Sequence, residues 1–419
     1  MLDIKFIREN LDIVKLAAKK KKIVVDLDRL MIIDDSRRAV MQAMEEKKAE
    51  QNKLGEQVPT AGEFVRSGLI EQLSVIKADI QKDEEQLKPI MQEWQAIMLN
   101  VPNVPDMSVP DGEGEDDNVE VKIWGEKPIF NFEAKDHIEL MTAHKMVDFE
   151  RGTKAHGFRG YFLMNDGALL SWAIWNYARE FFLKRDFNPV IAPSIVRKQH
   201  FYGTGHLPGD ANDLFQTQDG DYLTGTSEVS MMAYHSDEIL EKSDLPKRYL
   251  AFSPCYRREA GSHSKDVKGL IRVHEFFKWE QLILCEASHE KSAHFHEELN
   301  RNTEEFIESL GIPYRQLEIC TGDLKGAHVR SYDTELWVPK ENTYREIGSA
   351  SYYHDYQTRR FNTRYRADDG TLRYAHSLNA TAIPTPRILV SLVENFQQAD
   401  GTIKIPEVLR PFFGKDQIG

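Results

Sequence analysis

The residues best equipped for chemistry sit in one stretch, from Cys255-Tyr256-Arg257-Arg258-Glu259-Ala260-Gly261 to Arg272-Val273-His274-Glu275-Phe276-Phe277-Lys278-Trp279-Glu280. It reads as two strands joined by a long polar loop. Alternate residues of a strand share a face. Phe276, Lys278 and Glu280 therefore line one surface, Arg272 and His274 extend it, and Arg257 and Glu259 face one way on the partner strand. Such a surface gathers cations for phosphate, an aromatic plate for a base, and a carboxylate for an amine or hydroxyl. An ordinary amphipathic hairpin with a salt-bridged face accounts for these residues equally well.

The common nucleotide and metal motifs are missing. There is no G-x-x-x-x-G-K-[ST] loop, no G-x-G-x-x-G after a strand, no H-E-x-x-H and no C-x-x-C pair. A nucleotide on this surface would be held by arginines and an aromatic ring rather than by a helix terminus.

The elements that must position these residues fall into two parts. Between about residues 26 and 57 the chain is helical in pattern, with Leu27, Leu30, Met31, Val40, Met41, Met44 and Leu54 as its apolar stripe. Val58-Pro59-Thr60-Ala61-Gly62 breaks it. Leu69, Leu73, Ile76, Ile80, Leu87, Met91, Trp94 and Met98 then form a heptad seam with one position lost to charge, at Asp83 or Glu84. The spacing predicts an antiparallel helical hairpin over 27–100, with Pro89 as a kink or a lost hydrogen bond. A short helix and a strand are expected before it. Pro102 and Pro105 end the hairpin, and an acidic, Gly-bearing linker follows at 109–118. The domain division expected is 1–108 and 109–419.

The second part alternates short strands and helices. Helices are expected at 137–147, 168–184, 288–310 and 386–397, and strands at 160–167, 187–193, 222–225, 248–252, 317–321, 334–338, 345–351 and 374–378. The fold class is α+β, with a mostly antiparallel sheet flanked by helices. With 41% hydrophobic and 29% charged residues among 419, the chain has the composition of a soluble folded protein, and no apolar run reaches a membrane span. The N-terminus lacks the apolar core of a signal peptide. Cys255, Cys285 and Cys320 are read as reduced packing thiols, which makes the expected location cytoplasmic. The net charge of −13 argues against a surface that coats nucleic acid, though local basic runs such as 19–22 remain.

The motifs resemble those of the seryl-tRNA synthetases, a class II aminoacyl-tRNA synthetase family, over essentially the whole length. The opening stretch resembles the second class signature. Ser377-Leu378-Asn379-Ala380-Thr381-Ala382-Ile383-Pro384-Thr385-Pro386-Arg387 with Glu394-Asn395 resembles the third. The helix and strand ending at Pro193 resemble the first, which builds the dimer interface in this class. Thr226-Ser227-Glu228, Tyr344-Arg345-Glu346-Ile347 and the helical arm fit as well.

The resemblance implies an ATP-dependent serine–tRNA ligase that makes seryl-adenylate and transfers serine to the 3′ end of tRNA(Ser), and tRNA(Sec) as a further acceptor. It implies that Arg257, Glu259 and Arg387 are catalytic, and that these three with Arg272, Val273, Phe276, Glu346 and Ser349 bind ATP. Arg257 would fork the α-phosphate and the serine carboxylate, Phe276 and Arg387 would sandwich adenine, and Glu259 would take the adenine amino group or orient Arg257. Glu346 and Ser349 would hold Mg²⁺, a hard ion that prefers oxygen. Thr226, Glu228, Arg257, Glu280, Asn379 and Thr381 would bind L-serine, Thr381 taking its hydroxyl. Arg37, Arg38, Lys47, Lys48 and Lys53 on the arm would meet tRNA phosphates from across a homodimer. A paralogue that charges a non-tRNA acceptor is the alternative, and the arm argues against it.

The sequence also departs from the family's usual residues. Ile347-Gly348-Ser349-Ala350-Ser351-Tyr352-Tyr353 carries Gly, Ala and two tyrosines where Ser, Cys and a shorter polar pair are usual. The loop at 262–268, with His263, is expected to order on ATP or the tRNA end.

Overall fold

The computed structural model describes residues 1–260 and 266–419. Ser262 and His263, and with them most of the loop expected to order on ligand binding, lie outside the described residues. The chain forms two compact units, one of residues 3–102 and one of residues 1–2 with 103–419.

The first unit is helical throughout. Helices α1 (Ile4–Glu9) and α2 (Leu11–Lys20) replace the helix and strand expected there. Val14, Ala17 and Ala18 bury one side of α2 at helical spacing, and Val24 is left exposed instead of paired in a sheet. The hairpin consists of α3 (Leu27–Gln57) and α4 (Glu63–Asn100), broken at residues 58–62. At 1.5 Å per residue, α4 is about 57 Å long. It runs through Pro89 without interruption. The seam from Leu69 to Met98 is buried or half-buried along its length.

The stripe on α3 is corrected at two points. Met41 is exposed, and Asp34 lies fully buried in the seam. The chain satisfies that charge locally. Arg37 donates to Asp34 Oδ1 at 2.8 and 3.0 Å, Trp94 Nε1 donates at 3.1 Å, and Arg8 reaches Oδ2 at 2.9 Å. The charge lost from the second seam is likewise paired, with Lys47 on Asp83 at 2.6 Å.

The second unit is built on an eight-stranded sheet. Its strands are β1 (Val119–Trp124), β2 (Asn188–Ile191), β3 (Lys247–Tyr256), β4 (Glu275–Cys285), β5 (Tyr314–Glu318), β6 (Arg330–Val338), β7 (Thr343–Tyr352) and β8 (His376–Thr385). Their order is β1-β5-β6-β7-β8-β4-β3-β2. All neighbours are antiparallel except β2 and β3. Pro189 sits on the terminal strand β2, where a missing N–H is tolerated.

Helix α5 (Asn165–Leu183), helix α6 (Glu228–Tyr234), helix α7 (His289–Leu310) and helix α8 (Arg387–Asn395) complete the frame. Helix α7 is tied to the sheet by polar bonds. Gln281 of β4 reaches Leu299 and Thr303, Thr303 Oγ1 donates to the Thr381 carbonyl at 2.8 Å, and His296 bonds the Ala350 carbonyl at 2.9 Å. Around these bonds Leu299, Phe306, Ile283, Leu378, Ala380 and Leu392 form part of one large core.

Several boundaries move from those expected. The helix at 137 ends at Ala143, because Val147–Asp148 pairs with Phe162–Leu163 as a short ribbon. The strand expected at 317–321 is β5, ending at Glu318. The strand expected at 374–378 divides at Ala375 into Leu372–Tyr374 and β8.

Candidate active site

Strands β3 and β4 pair from Glu275↔Tyr256 to Leu284↔Lys247. Phe276, Lys278 and Glu280 alternate along β4 and share one face. Arg257 and Glu259 lie past the end of β3, and Arg272 and His274 precede β4. These four therefore belong to the irregular connection rather than to the strands. Glu259 has φ +53, a left-handed conformation unusual without glycine. That bend brings its carboxylate against Arg272. Glu259 thus pairs with Arg272, whose Nε also lies 3.6 Å from Asp266. The guanidinium of Arg257 sits 5.3 Å from the Phe276 ring centroid, and its Nη2 donates to the Gly225 carbonyl at 3.4 Å. Val273 is buried beside them.

Glu346 and Ser349 are three residues apart, which on a regular strand would put them on opposite faces. A bulge removes that objection. Glu346 pairs with Glu335 and Gly348 with Thr334, which leaves Ile347 unpaired, and Ser349 then pairs with Asp333. Glu335 and Asp333 share a face of β6, so Glu346 and Ser349 share it too. The Asp333 carboxyl has its pKa raised well above the ordinary value by burial and by the neighbouring Glu346 charge. Among the described residues, no three His, Cys, Asp or Glu side chains form a closed metal cage. A row of carboxylates and a hydroxyl is nonetheless the oxygen donor set for a hard cation that takes its remaining ligands from phosphates.

Arg387, at the start of α8, connects the two halves. Its Nε donates to the Ile271 carbonyl and its Nη1 to the Glu346 carbonyl, both at 2.7 Å. Burial lowers its pKa, with Arg257 and Arg272 acting in the same direction. A guanidinium stays charged even so, so three cations converge here.

A bulge also shapes the opposite end. Trp279 pairs with Ile383 and Glu280 with Thr381, leaving Ala382 unpaired. Thr381 thus stands across from Glu280, and Asn379 pairs with Ser351 of β7. Glu280, 2% exposed, forms an ion pair with Lys278. Lys278 Nζ also donates to Thr226 Oγ1 at 3.1 Å, and Thr226 Oγ1 lies 3.5 Å from Glu280. Thr226 precedes α6, and its hydroxyl accepts from the Glu228 N–H at 3.3 Å. Gln357 donates to Glu228 at 2.6 Å and accepts from Ser377 at 2.8 Å. Burial, reinforced by Glu280, pushes the Glu228 carboxyl up to about 7.

The sheet face therefore brings together Arg257, Glu259, Arg272, Phe276, Glu346, Ser349 and Arg387 at one end, and Thr226, Glu228, Glu280, Asn379 and Thr381 at the other. Arg37, Arg38, Lys47, Lys48 and Lys53 belong to the separate helical unit. There Arg37 is committed to Asp34 and lies 5.1 Å from the Trp94 ring, and Lys48 is 3.6 Å from Glu84. Sequence reasoning gave no role to Lys278, although its alternation with Phe276 and Glu280 was the available signal. It also passed over His206, which burial, followed by Lys325, Arg257 and Lys278, holds neutral with a pKa of about 3. Gln357 carried no sequence signal, because only tertiary pairing brings it to this face, and Asp333, part of a family-like run with Tyr332 and Glu335, was given no role.

Comparisons with known proteins show which family the chain resembles. The family model of the tRNA synthetase class II core domain (G, H, P, S and T) matches residues 215–396, and that of the seryl-tRNA synthetase N-terminal domain matches residues 1–105. A serine–tRNA ligase from Deinococcus radiodurans is 42% identical, covering 100% of this chain and 99% of that protein. One from Treponema denticola is 38% identical over the full length of both. The crystal structure of a seryl-tRNA synthetase from Pyrococcus horikoshii complexed with ATP superposes with a TM-score of 0.90 at 34% identity, covering 100% of this chain and 99% of that one. A cytoplasmic serine–tRNA ligase from Naegleria fowleri in complex with AMP gives 0.86 at 30% identity, covering 100% and 98%. With two bulges setting its site face and relatives matching it end to end, the chain belongs to the seryl-tRNA synthetases.

Proposed function

We propose that the sheet face binds ATP at the Arg257–Arg387 end and L-serine at the Glu280–Thr381 end, so that the serine carboxylate attacks the α-phosphate between them. The observation that carries this reading is the distribution of charge on the face, with three guanidiniums around Glu259 and Glu346 at one end and two buried carboxylates sharing the single Lys278 ammonium at the other. An anionic nucleotide suits the first and an ammonium the second. Arg257, at the junction, is the fork for both the α-phosphate and the attacking carboxylate. Its contact with Phe276 leaves the aromatic ring beside the phosphate position, where the base can stack, with Arg387 over the opposite face of the base. Glu259, paired with Arg272, faces the adenine amino group from this end of the site. Val273 supports this wall.

Glu228 and Glu280 receive the serine ammonium with Thr226, and Thr381 with Asn379 receives the hydroxyl. A pocket built to bond a hydroxyl rejects alanine by leaving its own polar groups unpaired. In-line attack then expels pyrophosphate. The arginines neutralise charge on the phosphorus oxygens, and positioning supplies much of the rest. Glu346 and Ser349, with Asp333 nearby, would hold Mg²⁺. When bound, it supplies Lewis-acid neutralisation of phosphate oxygens.

The remaining assignments rest on the same reading. Residues 3–102 form the tRNA-binding unit, and the unit built from residues 103–419 is the catalytic one, so the division expected at 108 moves to about 102. Arg38 and Lys53, exposed on α3, are the readiest phosphate contacts, with Lys47, Lys48 and Arg37 beside them. Acceptors are tRNA(Ser) and, where present, tRNA(Sec), and the enzyme works in the cytoplasm. It acts as a homodimer through exposed apolar residues, Phe162 and Trp172, which line a cavity of about 590 Å³, and Ile191 on the terminal strand β2.

Serine-dependent ATP–pyrophosphate exchange, followed by tRNA charging with and without residues 27–100, tests the assignment. Exchange with serine and ATP, and charging lost with the arm, are expected. Absence of exchange would refute the site. Charging that survives arm removal would refute the arm's role. Sedimentation of the intact protein as a monomer would refute the dimer.

A further inference from the structure

Tyr353 lies at the serine end of the site. The residue is 3% exposed, yet its hydroxyl is not idle. It donates to Asn379 Oδ1 at 2.8 Å. The backbone around it is held from three directions. The Tyr353 N–H donates to the Ser377 carbonyl at 3.1 Å, and its carbonyl accepts from the buried Asn103 side chain at 2.8 Å and from the Tyr356 N–H at 3.2 Å. The His328 ring stands edge-on to the phenol at 5.0 Å. This phenol is therefore fixed, with little conformational freedom left to lose.

The consequence falls on Asn379. A side-chain amide has one acceptor oxygen and one donor nitrogen, and the partner of one fixes the direction of the other. With Oδ1 taken by Tyr353, the NH₂ group is turned away from Tyr353. Asn379 is 8% exposed, and among the described residues its Nδ2 has no hydrogen-bond partner. Asn379 pairs with Ser351 on β7 and lies two residues from Thr381, which faces Glu280. The unpaired donor thus belongs to the pocket assigned to serine. Burial, then the nearby Glu228 and Glu280 charges, raises the phenol's pKa well above its ordinary value, so it remains a neutral donor across the working range.

We propose that Tyr353 is a positioning residue for amino-acid recognition, holding the Asn379 amide so that its NH₂ donates to the serine side-chain oxygen. It touches no substrate and acts through Asn379, while its hydroxyl also lies against Ser351 and Glu228. The proposal rests on the assignment of Asn379 to the serine pocket, and the test separates the two.

The experiment is a double-mutant cycle in the full-length protein, read by ATP–pyrophosphate exchange, with Tyr353→Phe, Asn379→Ala and the double variant. Tyr353→Phe removes one oxygen and keeps the ring. Serine KM is expected to rise about 5- to 10-fold, the loss of roughly one neutral hydrogen bond, while ATP KM stays within about 2-fold of wild type. Discrimination between serine and alanine is expected to fall with it. In the Asn379→Ala background the phenylalanine should cost nothing further. Wild-type serine KM in Tyr353→Phe, or additive losses in the double variant, would overturn the proposal. An unchanged serine KM in Asn379→Ala would overturn the underlying pocket assignment instead. A parallel rise in both ATP and serine KM would mark a structural role and also count against it.

Discussion

Gly348 offers a direct test of how closely the serine pocket is built. A Cβ placed there would lie 2.3 Å from Thr381 Cβ, 2.6 Å from its Cγ2 and 2.8 Å from its Oγ1. Carbon atoms pack at about 3.5–4.0 Å. Gly348→Ala therefore requires β7 and β8 to separate, or Thr381 to shift, by more than about 1 Å. Neither strand can give freely, because Thr381 is held by Thr303 through its carbonyl and by Glu280 through the ladder. Overpacking of this kind costs about 1–3 kcal/mol. A hydroxyl moved by 1 Å no longer meets hydrogen-bond geometry, and losing that bond to serine costs about 0.5–1.5 kcal/mol, up to roughly tenfold in KM. Purified Gly348→Ala should thus melt several degrees lower and show a serine KM up to about tenfold higher in pyrophosphate exchange. Wild-type melting and serine KM together would refute the claim that glycine here makes room for Thr381.

Four further outcomes follow from the geometry. The Glu228 carboxyl, raised to about 7, is neutral below that pH and ionised above it, and only the ionised form attracts an ammonium. Serine kcat/KM should therefore fall as pH drops through about 7, and Glu228→Gln, weaker throughout, should lose that limb. Lys278→Met leaves Glu280 as an uncompensated buried charge. Such breaks cost about 3–5 kcal/mol, so thermal denaturation should show a large loss that Lys278→Met with Glu280→Gln partly recovers. Arg37→Ala should lower the stability of the helical unit, measured by helix melting, because Asp34 loses its bidentate partner inside the seam. Arg38→Ala with Lys53→Ala should leave melting unchanged, raise the tRNA KM and flatten its salt dependence by about one to two charges.

How much of this could be read from the residue order depends on where each relation is recorded. The seam from Leu69 to Met98 is a relation along the chain, and the structure buries it in the order the heptads specify. The alternation of Phe276, Lys278 and Glu280 is another, and β4 carries it unchanged. The short range also misleads. Residues before 26 suggested a strand, but Val14, Ala17 and Ala18 place burial at helical spacing. Met41 fitted the apolar stripe by type, yet the seam turns past it, and a charged residue, Asp34, occupies the interior because Arg37, Arg8 and Trp94 satisfy it there. Three-residue spacing of Glu346 and Ser349 even opposed a common face until the bulge at Ile347 resolved it.

The two bulges explain why the site was legible by resemblance but not by periodicity. Each inserts one unpaired residue, Ile347 in β7 and Ala382 in β8, and each resets the phase of a strand where a ligand must be met. Period-two reasoning assumes a constant phase, so it fails at the positions that carry chemistry. Both extra residues are buried apolar side chains in the common core. Burial anchors the phase shift, since moving either strand by one residue would expose Ile347 or Ala382 and turn Glu346 or Thr381 away from the site. The core behind the sheet and the polar face in front are thus specified by the same register.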